Sequence, residues 1–190
     1  MSWSEIKTAA TRVMAVRMLA VVALAALTAG CFQPMYAERT LDGQPGLRDK
    51  LASVEVPPLA VPNASPVARL GVNVRNELMF KLYGTATGAP PLYRLVLKLN
   101  TNQVAMIVDP NTALPDIQNY GIDASFQLIE NATDKVVLTG NTFSRVTYDT
   151  PGWKQRFARV RAQRDAEDRA SKEIAENIST RLAAFFYAGT

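Results

Sequence analysis

Between residues 91 and 149 the chain alternates apolar and polar side chains almost without a break. In PLYRLVLKLNTNQVAMIV, Tyr93, Leu95, Leu97 and Leu99 fall on one side, and Arg94, Val96 and Lys98 on the other. DIQNYGIDASFQLIEN repeats the pattern with Tyr120, Ile122, Ala124, Phe126 and Leu128 on one face. KVVLTGNTFSRVTYD follows after the turn-forming NATD, with Gly140 expected to mark a β-bulge. A period of two in successive runs predicts an antiparallel meander with one buried face and one polar face. The segment DPNTALPD between the first two runs reads as a longer loop and a candidate contact site.

The buried face needs a cover, and two other stretches have the period to supply it. In NASPVARLGVNVRNELMFKLYG, Ser65 is placed to cap a helix that starts at Pro66. Val67, Leu70, Val74, Leu78 and Leu82 form its apolar stripe, and Gly84 stands where a left-handed C-cap belongs. The last stretch, WKQRFARVRAQRDAEDRASKEIAENISTRLAAFF, is one helical pattern with Phe157, Val160, Ala170, Ile174, Ile178, Leu182 and Phe185 on its stripe. Its first half is crowded with charge, expected to form i,i+4 pairs on a solvated face. Upstream, a short strand near Ser53–Val56 is stopped by Pro57 and Pro58. The order strand, helix, three strands, helix predicts an α+β two-layer sandwich. It has a roughly four-stranded mixed or antiparallel sheet with two helices packed on one face.

The N-terminus has a different character. Uncharged residues from Met18 to Gly30 follow Arg12 and Arg17 and end at Cys31, the only cysteine. The run is too short to span a bilayer and has the basic, apolar and small-residue zones of a secretory signal. Thr28, Ala29 and Gly30 before Cys31 resemble a bacterial lipobox, with Leu27 one place earlier than usual. The resemblance implies that the Cys31 thiol receives diacylglycerol and, after cleavage, its amine an acyl chain. Several acyl chains anchor stably where one is marginal. Phe32, rather than aspartate, as the next residue resembles the outer-membrane sorting pattern. The expected division is a signal peptide over 1–30, with Met14 an alternative start that would give a more compact basic region. A lipidated tether over 31–52 and a single periplasmic domain over 53–187 follow.

Composition excludes several activities. The chain has no histidine, so it lacks the commonest general base and metal ligand, and one cysteine excludes an internal disulfide or a cysteine-rich metal site. Net charge is +4, half of it within the first thirty residues, too little to argue for a nucleic-acid partner. Asp109, Asp116, Asp123 and Asp149 could serve a carboxylate hydrolase, but no spacing pairs them. The expectation is no catalytic residue, no metal and no cofactor beyond the acyl groups.

After Cys31 the chain reads Phe32-Gln33-Pro34-Met35-Tyr36-Ala37. Phe32, Pro34 and Tyr36 resemble, in order, the Cys-Gly-Phe-x-Pro-Leu-Tyr-Gly opening of alphaproteobacterial LptE, the lipopolysaccharide-assembly lipoprotein family. The glycine after the cysteine is missing, and Met35 and Ala37 replace leucine and glycine. The element order is also similar to the family's fold. The resemblance implies a non-enzymatic outer-membrane lipoprotein, lipid-anchored on the periplasmic side. It would plug and help assemble an LptD-like β-barrel that inserts lipopolysaccharide. Arg94, Lys98, Lys135 and Arg145, on or beside the strands, are candidate phosphate contacts for that lipid. Two other binding roles are compatible with the same features: an auxiliary lipoprotein of an envelope lipid ABC transporter, or a secretin pilot protein.

Overall fold

The computed structural model describes residues 45–188, apart from 63, 85–88, 112–114 and 151–154. The signal sequence, Cys31 and most of the lead-in lie outside the described residues. The elements are α1 (Leu47–Ala52), β1 (Val54–Glu55), α2 (Pro66–Tyr83), β2 (Tyr93–Val108), β3 (Pro115–Glu130), β4 (Lys135–Asp149) and α3 (Arg156–Ala188). The four strands lie side by side in chain order. β1 pairs parallel with Tyr93 and Arg94 of β2, and the other two pairings are antiparallel. The fold is the α+β open sheet with helices on one face, with a third, short helix added.

That addition moves a boundary. Residues 47–52 were assigned to the tether, yet they form α1 and bury Leu47 and Leu51 in the core. β1 is short because prolines follow it. Its backbone oxygens are claimed by α2: Tyr83 Oη donates to Val54 O, and Arg75 Nε donates to Val56 O at 2.8 Å.

α2 begins as its sequence requires, with the Ser65 hydroxyl accepting from Ala68 N at 3.1 Å and Pro66 in the first turn. It ends at Gly84 with φ +67° and ψ −131°. The φ is positive as expected, but this ψ lies outside the left-handed helical region, so the cap is another glycine-favouring conformation. Leu70, Val74, Leu78 and Leu82 are buried. They face Leu95, Leu97, Leu99, Ile122, Phe126 and Leu128 across the sheet's inner side, with Ile174, Ile178 and Leu182 of α3 completing the core. Each such side chain contributes about 1.5–3 kcal/mol when fully buried.

The two long helices run in the same direction. Arg69 pairs with Glu167, Asn73 Nδ2 donates to Asp168 at 3.0 Å, and Lys81 pairs with Glu176. Contacts that advance together along both chains define parallel neighbours. Small residues of α3 (Ala166, Ala170, Ser171, Ala175, Ala183) are buried where it meets the other elements.

Gly140 does not form a bulge. It sits opposite Phe126 in unbroken register, and the irregularity of this pairing falls instead between Leu128 and Ile129. A Cβ on Gly140 would strike the Phe126 ring. The glycine is therefore a seat for a buried aromatic side chain. Gly140→Val should lower stability by about 1–3 kcal/mol through overpacking. Adding Phe126→Leu should recover part of that loss in urea unfolding. Equal stability of Gly140→Val and the parent would refute the packing role.

Candidate functional site

Both long helices cover the same face of the sheet, and among the described residues nothing covers the other face. Along β2 it carries Arg94, Val96, Lys98, Asn100 and Asn102. Their partners on β3 are Ile129, Gln127, Ser125, Asp123 and Gly121, and β4 adds Asn141, Phe143, Arg145 and Thr147. The face is polar, with isolated apolar side chains.

The four basic candidates have different surroundings: Arg94, Lys98 and Arg145 belong to this face, whereas Lys135, opposite Glu130 and Tyr93, has the parity of the helix-covered side. Arg145 is the most committed. Its Nη1 donates to Ile122 O at 3.0 Å and Ser144 O at 2.9 Å, and its Nη2 meets Asp123 at 2.7 Å. Its guanidinium also lies 5.4 Å from the centre of the Phe143 ring. Gly121 makes this possible, because a Cβ there would collide with Asn102 and crowd Arg145. Arg94 pairs with Asp134 at 3.0 Å. Lys98 and Lys135 have no carboxylate within ion-pair range among the described residues. Arg94 and Lys98 are four residues apart on one strand, roughly 13 Å. Lys135 pairs with Glu130, which pairs with Tyr93, so it stands at the same end as Arg94. The sheet therefore spreads these cations over a surface and does not gather them in one pocket.

A second electrostatic feature lies under the helices, where sequence spacing could not reveal it. Glu167 is buried at 4% exposure and pairs with Arg69, 98 residues away, while Gln163 Nε2 donates to its other oxygen at 3.2 Å. Tyr120 lies close by. Burial raises its phenol first, the Glu167 carboxylate adds to the effect, and together they push it up to about 12. Tyr148 is raised for the same two reasons, and its Oη donates to Gln118 at 2.5 Å. These groups tie α2, α3 and the sheet together. Among the described residues no cluster of three or more histidine, cysteine, aspartate or glutamate side chains is placed to hold a metal ion. Asp123 stands apart on β3, while Asp149 lies opposite Ile117, beside Asp116 at one end of the sheet.

The far part of β2 is exposed although its neighbours on β3, Tyr120 and Ile122, are buried. From Asn100 to Val108 every residue is exposed, including Val104, Met106, Ile107 and Val108. A register shift between Ala105 and Ile107 leaves Met106 without a direct partner on β3. Since β1 pairs only at Tyr93 and Arg94, the rest of β2 has no strand on its outer edge among the described residues. A groove of about 410 Å³ separates part of that edge, Val96–Leu99, from the loop Pro57–Val61.

A family model described as LptE, lipopolysaccharide-assembly, matches residues 51–182, which takes in the sheet and nearly all of both long helices. The chain belongs to the LptE family. The match spans the strands that carry the uncovered sheet face and the exposed part of β2. The crystal structure of a lipoprotein from Caulobacter crescentus CB15 is similar, with 25% sequence identity and a TM-score of 0.60. The match covers 76% of this chain and 97% of that one. A minor lipoprotein from Acinetobacter baumannii matches with 10% identity and a TM-score of 0.48, over 69% of this chain and 88% of that one. No curated protein gives a significant match. As an LptE chain this is an envelope lipoprotein of lipopolysaccharide assembly. None of its described helices is long and apolar enough to cross a membrane.

Sequence reasoning missed one surface. Phe157 and Val160 were placed on the apolar stripe of the last helix, but they are 90% and 48% exposed. The buried stripe begins only at Ala166. The expected network of i,i+4 pairs reduces to Asp165–Arg169 among the described residues. The available signal was the run RFARVR, too basic for a buried helix turn.

The raised tyrosines have a consequence at high pH. A phenol that ionises later in the folded than in the unfolded state stabilises the fold below the unfolded pKa, and this contribution is lost as pH rises. Unfolding free energy should decline from about pH 10 to about pH 12 as Tyr120 is forced to ionise. Tyr120→Phe should flatten that decline in pH-dependent urea titrations. An unchanged slope would rule out Tyr120 as its source.

Proposed function

We propose that this LptE chain is the lipid-anchored plug and assembly partner of an outer-membrane, LptD-like β-barrel that delivers lipopolysaccharide to the cell surface. The observation that carries the reading is the sheet with one face packed and the other left polar and uncovered. The lumen of a large barrel is polar and wet. A domain seated there needs an ordered polar surface. Asn100, Asn102, Asn119, Asp123, Ser125, Gln127 and Asn141 supply one, held on a rigid hydrogen-bonded meander.

Anchoring falls to Cys31, acylated on its thiol and on its new amine after cleavage, with Phe32 next in the chain directing the protein to the outer membrane. The tether then holds the domain on the periplasmic side. Lipopolysaccharide contact falls to the basic side chains Arg94, Lys98, Lys135 and Arg145. Lys98 and Lys135 are the freest of these. Arg94 would exchange Asp134 for a phosphate, and Arg145 would have to surrender several existing bonds.

Mild-detergent purification of the tagged full chain should recover a large outer-membrane barrel in near-equal amount, with an acylated Cys31 in the mass spectrum. Recovery of inner-membrane transporter or secretin subunits instead would replace the barrel reading. Neutralising Arg94 and Lys98 together should weaken lipopolysaccharide binding severalfold while circular dichroism stays unchanged, since both side chains lie on the uncovered face. Undiminished binding by the folded double variant would remove these residues from the lipid site.

A further inference from the structure

The exposed start of α3 bears on a question separate from the barrel. Phe157, Val160, Arg161 and Arg164 follow i, i+3, i+4, i+7 spacing, which places them along one side of the helix. Phe157 is 90% exposed, an unusual position for a phenylalanine in a folded domain. Arg156, Arg161 and Arg164 are exposed as well.

The acids of this helical segment do not neutralise those arginines. Asp165 is bound by Arg169 Nε at 2.8 Å. Glu167 is buried against Arg69, and Asp168 accepts from Asn73 of α2. None of the ion pairs among the described residues involves Arg156, Arg161 or Arg164. Asp116 and Asp149, at the neighbouring end of the sheet, make no ion pair with them either. The result is an exposed aromatic and aliphatic pair flanked by three uncompensated positive charges.

We infer that this face of α3 docks on a bilayer surface containing anionic phospholipid. Phe157 and Val160 would enter the boundary between headgroups and acyl chains, and Arg156, Arg161 and Arg164 would lie among the phosphates. Charge complementarity selects this occupant: a neutral apolar protein groove would leave the arginines unpaired, whereas an anionic interface satisfies both parts of the face. Docking here would give the domain a second membrane contact besides the acyl anchor.

The test uses the full chain with Cys31→Ser, which removes the acylation site and leaves every other segment identical between variants. Binding is measured by co-sedimentation with vesicles of phosphatidylcholine, alone or with about one third phosphatidylglycerol. The parent should bind the anionic vesicles far more tightly than the neutral ones. Arg156→Gln/Arg161→Gln/Arg164→Gln should lose about a hundredfold in affinity, because each cation near an anionic surface contributes roughly a fivefold factor. Phe157→Ser should lose about tenfold. Lys172→Gln/Arg181→Gln, on exposed positions further along α3, should change binding less than threefold. Equal binding to both vesicle types, no effect of the triple substitution, or an equal loss in the Lys172/Arg181 control would each overturn the inference. Far-ultraviolet circular dichroism establishes that the variants fold, and all the substituted residues of α3 are exposed.

Discussion

The placement of α2 and α3 on the same side of one sheet governs the rest of this structure. β1 and β2 are parallel, so the chain must cross between them, and α2 makes that crossing over the inner face. The meander then returns through β3 and β4, and α3 lies beside α2, running the same way. Two long helices fill that side. Nothing remains in the described chain to cover the other, so its side chains have to be compatible with water or with a partner.

This arrangement explains why alternation is strict where the helices lie and relaxed where they do not. Leu95, Leu97 and Leu99 meet helices and are buried, while Val104, Met106, Ile107 and Val108, further along the same strand, are exposed. The cover reaches further along β3 and β4 than along β2. In a domain that functions alone such an exposed stretch would be trimmed or charged.

Much of the fold was legible because local rules and tertiary packing agree. The alternating runs, the Ser65–Pro66 start of α2 and the prolines after β1 each state their structure within a few residues. Other features depend on distant contacts. α1 lacks a capping side chain and is defined by burial of Leu47 and Leu51, which no local pattern requires. Gly140 reads as a bulge until Phe126, on the neighbouring strand, is known to fill the space above it. The candidate site was legible as a polar face. Which cations are already engaged was not: Asp134 and Arg94 are forty residues apart in sequence, and Arg69 and Glu167 are further still. Phe157 misled because helical spacing reports a face but not whether anything lies against it.

The outer edge of β2 has a consequence for how the protein must be made. From Asn100 to Val108 the edge carries no charge and no proline, the two devices that commonly keep strands from finding their own kind. Two copies meeting along this edge could continue each other's sheet. The free chain is thus exposed to self-association in proportion to its concentration, because the sequence itself does not protect this edge.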